Sequence, residues 1–372
     1  MLSICLNVPP LRFPGFEGEW QKTMLRETCN IQRGGSPRPI LNFISNSKDA
    51  VNWIKISDVD IDGHIWETQE RIKPEGVKYS RRVYKGDLLL SNSMSFGVPY
   101  ILEVDGCIHD GWLVIQPFNK EVNLKFLYQY LSCPWCLNQY KRLAAGGVVN
   151  NLNKDLVSSI RLSLPEYLEQ NKISEFLALL DERISAQRKT IEDYENLQKA
   201  LLKAKLEVAD LSISNIVKKV SSNLSLSGNQ GKEGFPLIGV EGVVGKVSSP
   251  LINQPGILVV KDGAGIGKSF IPAENKFSFL STLICLIPDN KYTANEILFC
   301  LKRLNLKSYS VGSGIPHIYF KDFANLKVPT RNNKFLQVSS TYKLLSNKIN
   351  MEKKIVKEAL LLKKYLLMNL FI

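Results

Sequence analysis

The chain is 372 residues long, enough for two or three domains rather than one. Its hydrophobic fraction of 44% suits buried cores, and no apolar run reaches the roughly 18 residues that a membrane-spanning helix needs. Lys and Arg number 48 against 35 Asp and Glu, a formal net charge of +13, which favours a polyanionic partner through release of counterions from phosphates.

The opening MLSICLNVPPLRFPGF has neither the charged start nor the apolar stretch of a secretory signal, so a cytoplasmic protein is expected. The seven cysteines follow no framework spacing and read as reduced thiols. Cys133-Pro-Trp-Cys136 is a lone CxxC with no second pair and no nearby His; a role in packing is expected, not a zinc site.

Arg33-Gly-Gly-Ser36-Pro-Arg38 joins two arginines to turn residues, and Lys78-Tyr79-Ser-Arg81-Arg82 sets three cations beside a tyrosine. Arg forks onto guanine edges, Lys neutralises phosphate, and Asn reads adenine, which makes Asn92, Asn150 and Asn151 candidates too. A strand from Gly86 to Asn92 follows, then a helix expected over Asn123–Leu143. His109-Asp110 sits in a turn and reads as structural.

Past Pro165 the apolar period changes from strand to heptad. Ile173, Leu177, Leu180, Ile184, Ile191, Tyr194 and Leu201 form a seam interrupted by Gln187 and Gln198, with charged residues on the other faces. No Gly or Pro falls between Glu166 and Leu211, so a helix of about forty residues, roughly 60 Å, is expected. Ser212–Gly234 reads as a linker and opening loop.

The second half then repeats the first. Gly256–Asp262 answers Gly86–Asn92, Gly263–Gly267 answers Phe96–Val98, Leu283–Ile287 answers Trp112–Ile115, and Gly312–Asp322 answers Gly146–Asp155. Each half reaches a proline, Pro165 or Pro329. Lys218, Lys219, Lys246, Lys261 and Lys268 lie in or beside its loops, and Ser313 and His317 lie in a small-residue contact loop. A helix is expected over Thr293–Leu304. From about Asn332 a looser heptad stripe runs through Val338, Tyr342, Leu345, Ile349 and Val356.

Asp262-Gly-Ala-Gly-Ile-Gly-Lys-Ser269 mimics a phosphate-binding loop. It has Asp262 where a P-loop requires its first Gly, and Phe270-Ile-Pro272 follows where a helix should begin. A cofactor loop of the doubly wound kind fails on the same missing helix. A hairpin turn with φ > 0 accounts for these glycines, with Lys268 placed to touch phosphate. No spacing of His or carboxylates suggests catalytic or metal chemistry.

The expected fold is α+β: heads at 1–165 and 211–331, with helical regions at 166–210 and 332–372 that pair as an antiparallel coiled coil. Two readings remain open at this point, a DNA reader and a coiled-coil interaction scaffold without DNA specificity.

Several segments resemble the specificity subunits of type I restriction–modification systems. They are Leu11-Arg-Phe-Pro-Gly-Phe-Glu-Gly-Glu-Trp20, Arg33-Gly-Gly-Ser-Pro37, Val260–Gly267 and, most clearly, Glu169-Gln-Asn-Lys-Ile-Ser-Glu-Phe-Leu-Ala-Leu-Leu-Asp-Glu-Arg-Ile184 with its continuation to Leu202. The second helical region has Phe335-Leu-Gln-Val in place of a good copy of that last segment. The resemblance implies a non-catalytic subunit of a prokaryotic complex, whose two target-recognition domains read the halves of a bipartite site in double-stranded DNA. The helices would fix the gap between the halves. It further implies two methyltransferase subunits using S-adenosylmethionine and restriction subunits using ATP and Mg, with no cofactor in this chain and no membrane partner.

Overall fold

The computed structural model describes residues 7–60, 62–92, 97–144, 153–226, 233–263, 265–289, 291–312 and 316–372. The chain divides into two compact units, Met1–Arg188 with Lys354–Ile372, and Lys189–Lys353.

In the first unit the strands are β1 (Gln21–Met24), β2 (Cys29–Arg33), β3 (Val51–Ile54), β4 (His64–Ile65), β5 (Glu70–Ile72), β6 (Arg81–Val83), β7 (Leu88–Ser91), β8 (Pro99–Leu102), β9 (Gly106–Ile108), β10 (Trp112–Pro117) and β11 (Arg161–Leu164). Its helices are α1 (Leu25–Thr28), α2 (Leu124–Leu131), α3 (Pro134–Ala144), α4 (Lys154–Ser158) and the start of α5 (Tyr167–Leu202). The main sheet has the order β2-β10-β7-β8-β4, a second has the order β5-β3-β9-β6, and β1 pairs with β11. The apolar runs of β7 and β10 are buried on both faces, as their continuous hydrophobicity requires. Leu88, Leu90, Leu113 and Ile115 face α2 and Ile173 and Leu177 of α5. Leu89, Trp112 and Val114 face the other way, onto Ile54 and Ile108 of the second sheet.

The single helix expected over Asn123–Leu143 is two. Ser132 and Cys133 separate them, because Pro134 has no N–H to continue α2 and instead opens α3.

The second unit repeats this plan with β12 (Val208–Ser212), β13 (Val217–Ser221), β14 (Phe235–Gly239), β15 (Gly242–Val247), β16 (Ile257–Val260), β17 (Ser269–Phe270), β18 (Ser278–Phe279), β19 (Leu283–Pro288) and β20 (Lys327–Pro329). The sheet β13-β19-β16-β17 copies β2-β10-β7-β8, and β15-β14-β18 copies β5-β3-β9 with the same antiparallel and parallel pairings. The pair β12-β20 copies β1-β11. The helices α6 (Ala294–Leu304), capped by Thr293, and α7 (Phe320–Phe323) complete the head, and α8 runs Asn333–Asn369.

Two expectations are corrected here. The segment read as a linker contains β13, whose Val217-Lys-Lys-Val lacks clean alternation yet pairs with β19 in register, Lys218 opposite Ile287. The central helix ends at Leu202, short of 210, because the chain must turn into β12. Arg303 takes up the freed carbonyls of that end, donating to Leu201 O (3.4 Å) and Ala204 O (3.0 Å).

Within each unit α5 and α8 run antiparallel. In the first, Ile173 and Leu177 share a core with Leu366, Leu367 and Leu370, and Asp181 Oδ1 lies 2.6 Å from Lys363 Nζ. In the second, Glu195 binds Lys353 at 2.7 Å and Gln198 donates to Ser346 Oγ at 2.6 Å. Ile173, Leu177 and Ile184 of the seam are buried, as are Leu345, Ile349 and Val356. Leu180, Ile191, Tyr194 and Leu201 are half-buried.

Candidate nucleic-acid interface

In the first unit β2 leads directly into the arm Arg33–Arg38. Gly34 and Gly35 let this arm lie between two other backbones: a Cβ on Gly34 would strike the His109 carbonyl, and one on Gly35 would stand 2.7 Å from Tyr79 O. The arm is held by Asp110. Its carbonyl accepts from Arg33 Nε (3.0 Å) and Asn92 Nδ2 (3.0 Å), and its carboxylate accepts from Ser36 Oγ (2.9 Å) and Arg38 Nη2 (3.4 Å). Burial opposes ionisation of Asp110, but the Ser36 hydroxyl, its own amide and Arg33 outweigh it and hold the carboxyl below its usual range. His109 is pushed the neutral way by burial, and its Nδ1 accepts from the Gly111 N–H at 2.8 Å.

Arg33, Ser36, Arg38, Lys78 and Tyr79 are thus brought to one place. Arg33, Arg38, Lys78 and Tyr79 are exposed, with Lys78 Nζ 4.9 Å from the Tyr79 ring centre. Arg81 and Arg82 are exposed on β6, at the edge of the second sheet. Asn92 differs from its expected adenine-reading role: it is buried and its amide nitrogen is spent on Asp110, so it holds the arm. Asn150 and Asn151 lie outside the described residues, as does most of the expected repeat over Gly146–Asp155.

In the second unit the glycine segment is the β16–β17 hairpin turn, with Gly263, Gly265 and Gly267 at φ of 79°, 85° and 79°. Val260 N–H donates to Lys268 O and Gly267 N–H to Val260 O, both at 2.9 Å. A Cβ on Gly267 would stand 2.7 Å from Lys307 N, so the turn needs both the freedom and the smallness of glycine. Asp262 Oδ1 accepts from His317 Nδ1 at 2.7 Å, which ties the contact loop to the hairpin; Lys261 Nζ lies 3.6 Å from the same carboxylate. Lys268 is exposed, 3.4 Å from Val240 O, and Lys246 is exposed on β15, opposite Pro236. Ser313 lies outside the described residues.

Three residues escaped the sequence reading. Asp110 was read as structural, but nothing in the sequence tied it to the arm. Lys302, in the last turn of α6, resembles an ordinary helix-end cation; burial and the neighbouring Lys268 both lower its pKa, marking a concentration of positive charge beside the hairpin. Tyr319 is half exposed and stacks on His317 with ring centres 6.4 Å apart. A Tyr two residues before a Lys-Asp pair carries no such signal.

Among the described residues no group of three or more His, Cys, Asp or Glu is placed to hold a metal ion, and no helix is long and apolar enough to cross a membrane. Cys133 and Cys136 are wholly buried in the first core, and burial pushes the Cys133 thiol up to about 11.

Two units of one topology, each presenting cations on turns built to a fixed shape, define a two-headed binding protein. A family model described as the type I restriction modification DNA specificity domain matches residues 17–193 and 209–332, one match for each head. The chain belongs to this family. It is 37% identical over 82 residues to the type I restriction enzyme MjaVIII specificity subunit of Methanocaldococcus jannaschii, covering 21% of this chain and 19% of that one. It is 28% identical over 135 residues to the MjaX specificity subunit of the same organism, covering 35% and 31%. The matches thus span about a fifth and about a third of those relatives. The crystal structure of a type I restriction–modification S subunit from M. genitalium shares the fold, with a TM-score of 0.73, 17% identity, and coverage of 98% of this chain and 99% of that one.

Proposed function

We propose that this chain is the DNA-specificity subunit of a type I restriction–modification complex, acting in the prokaryotic cytoplasm, with each head reading one half of a bipartite, asymmetric site in double-stranded DNA. The repeated topology carries this reading: one plan used twice, with one family-model match per head, suits two separate half-sites. Exposed cations on the arm of the first head and the hairpin of the second would neutralise phosphates, and arginines such as Arg33 and Arg38 would fork onto guanine. The paired helices would fix the number of base pairs between the halves. Two methyltransferase subunits, using S-adenosylmethionine on adenine, and restriction subunits, using ATP and Mg, would dock on this scaffold and supply all the covalent chemistry. Sequencing the methylated bases of a host with and without this gene tests the proposal. A two-part adenine-methylated motif that vanishes with the gene is expected, and an unchanged methylation pattern contradicts it.

A further inference from the structure

The first unit contains a cavity of about 540 Å³ that the DNA-reading role leaves unused. One wall is α5, which offers the small residues Ser174, Ala178 and Ser185. The others come from α2 and from the segment around β4. In a chain of net charge +13 the lining is acidic, with Asp62, Glu103, Asp181 and Glu182 beside one cation, Lys125. Glu103 is paired with Lys85 at 3.2 Å and Asp181 with Lys363 at 2.6 Å, which leaves Asp62 and Glu182 as the carboxylates without an ion pair among the described residues. Trp66 is 51% exposed at this cavity, with its indole stacked on His64, ring centres 5.2 Å apart and 18° between planes. His64 is itself held by Glu103, Nδ1 to Oε1 3.0 Å. Gln129 also lines it; the side chain is 2% exposed, Nε2 donates to Asp181 Oδ2 at 2.8 Å, and Oε1 is buried with no hydrogen-bond partner.

An aromatic face beside a carboxylate rim is what a guanidinium recognises. Its plane stacks on indole, and its five N–H donors serve carboxylates in a fixed fork. Lysine, a strongly hydrated point charge, uses the flat face less well. We infer that this cavity is the docking site for an arginine side chain presented by a protein partner of the complex. The inference rests on the proposed function, which makes that partner the methyltransferase subunit.

The test places p-benzoylphenylalanine at position 182 of the full chain, co-expressed with its methyltransferase subunit, and identifies the photo-cross-linked peptide by mass spectrometry. An arginine-bearing segment of the methyltransferase is expected. Glu182→Arg and Ala178→Trp should each weaken the binding of that subunit at least tenfold while leaving DNA binding by the same preparations unchanged. Replacing the cross-linked arginine by Glu should restore binding to the Glu182→Arg chain. Should Ala178→Trp fail to fold, Glu182→Arg, at an exposed position, decides the matter. Full affinity in Glu182→Arg, or cross-links that never include an arginine-bearing segment, overturns the inference. If the wild-type chain does not bind the methyltransferase subunit at all, the functional reading itself fails instead.

Discussion

The carboxylate of Asp262 and the imidazole of His317, 55 positions apart in the chain, meet at 2.7 Å and also face each other as an isolated antiparallel bridge. The segment at His317 is thereby fixed to the glycine hairpin, with Tyr319 stacked beside it. Asp262→Ala should cost under about 1 kcal/mol of stability, since both groups are partly solvated. It should nevertheless lower affinity for a DNA fragment holding the second half-site several-fold, leaving the first half-site unaffected. Thermal melts beside half-site titrations check this; equal affinities would show that the loop does not touch DNA.

Asp110 organises the first head in the same sense, and its effect has a pH signature. Its carboxyl is held below its usual range in the folded state. The stability it contributes is therefore present above the unfolded value of about 3.9 and lost as pH falls through the lower folded value. Asp110→Asn should remove part of the acid destabilisation below about pH 4. At neutral pH it should weaken binding at the first half-site by loosening Ser36 and Arg38, which bind the carboxylate, while Arg33 keeps its bond to the backbone carbonyl. Urea unfolding of both proteins across pH 3 to 7 reads the difference.

Gly267 and Gly263 share a positive φ but not a neighbourhood. A Cβ on Gly267 meets the Lys307 backbone, whereas nothing lies within 4 Å of one on Gly263. Gly263→Ala should cost only the backbone strain, about 1–2 kcal/mol. Gly267→Ala should cost clearly more, with the unfolding midpoint falling further. Equal losses would contradict the packing of the hairpin against Lys307.

Removing a charge from the glycine hairpin separates a DNA reader from an interaction scaffold. Lys268→Gln should reduce the slope of log affinity against log salt by about 1, on any DNA sequence. A scaffold without DNA specificity shows no such slope in the wild-type chain.

What could be read from sequence depended on range. The heptad stripe, the β7–β16 and β10–β19 correspondence and the hairpin at Gly263–Gly267 are local patterns, and the fold contains all three. The break at Cys133–Pro134 was equally local and was overlooked. The end of α5 was not local, since Arg303 reaches Leu201 and Ala204 from about a hundred positions away. β13 was hidden because its Val-Lys-Lys-Val has no strand alternation and draws its stability from β19. At the interface most of the candidate cations are exposed and Lys261 is half-buried, while the inward turn of Asn92 depended on Asp110, which only the folded chain brings beside it.

The most direct test of the two-reader account exchanges residues 1–165 for the first head of another family member and maps the methylated motif. One half of the bipartite motif should change while the other half and the spacing stay as they were. An unchanged motif, or alteration of both halves together, would contradict the assignment of one head to each half-site.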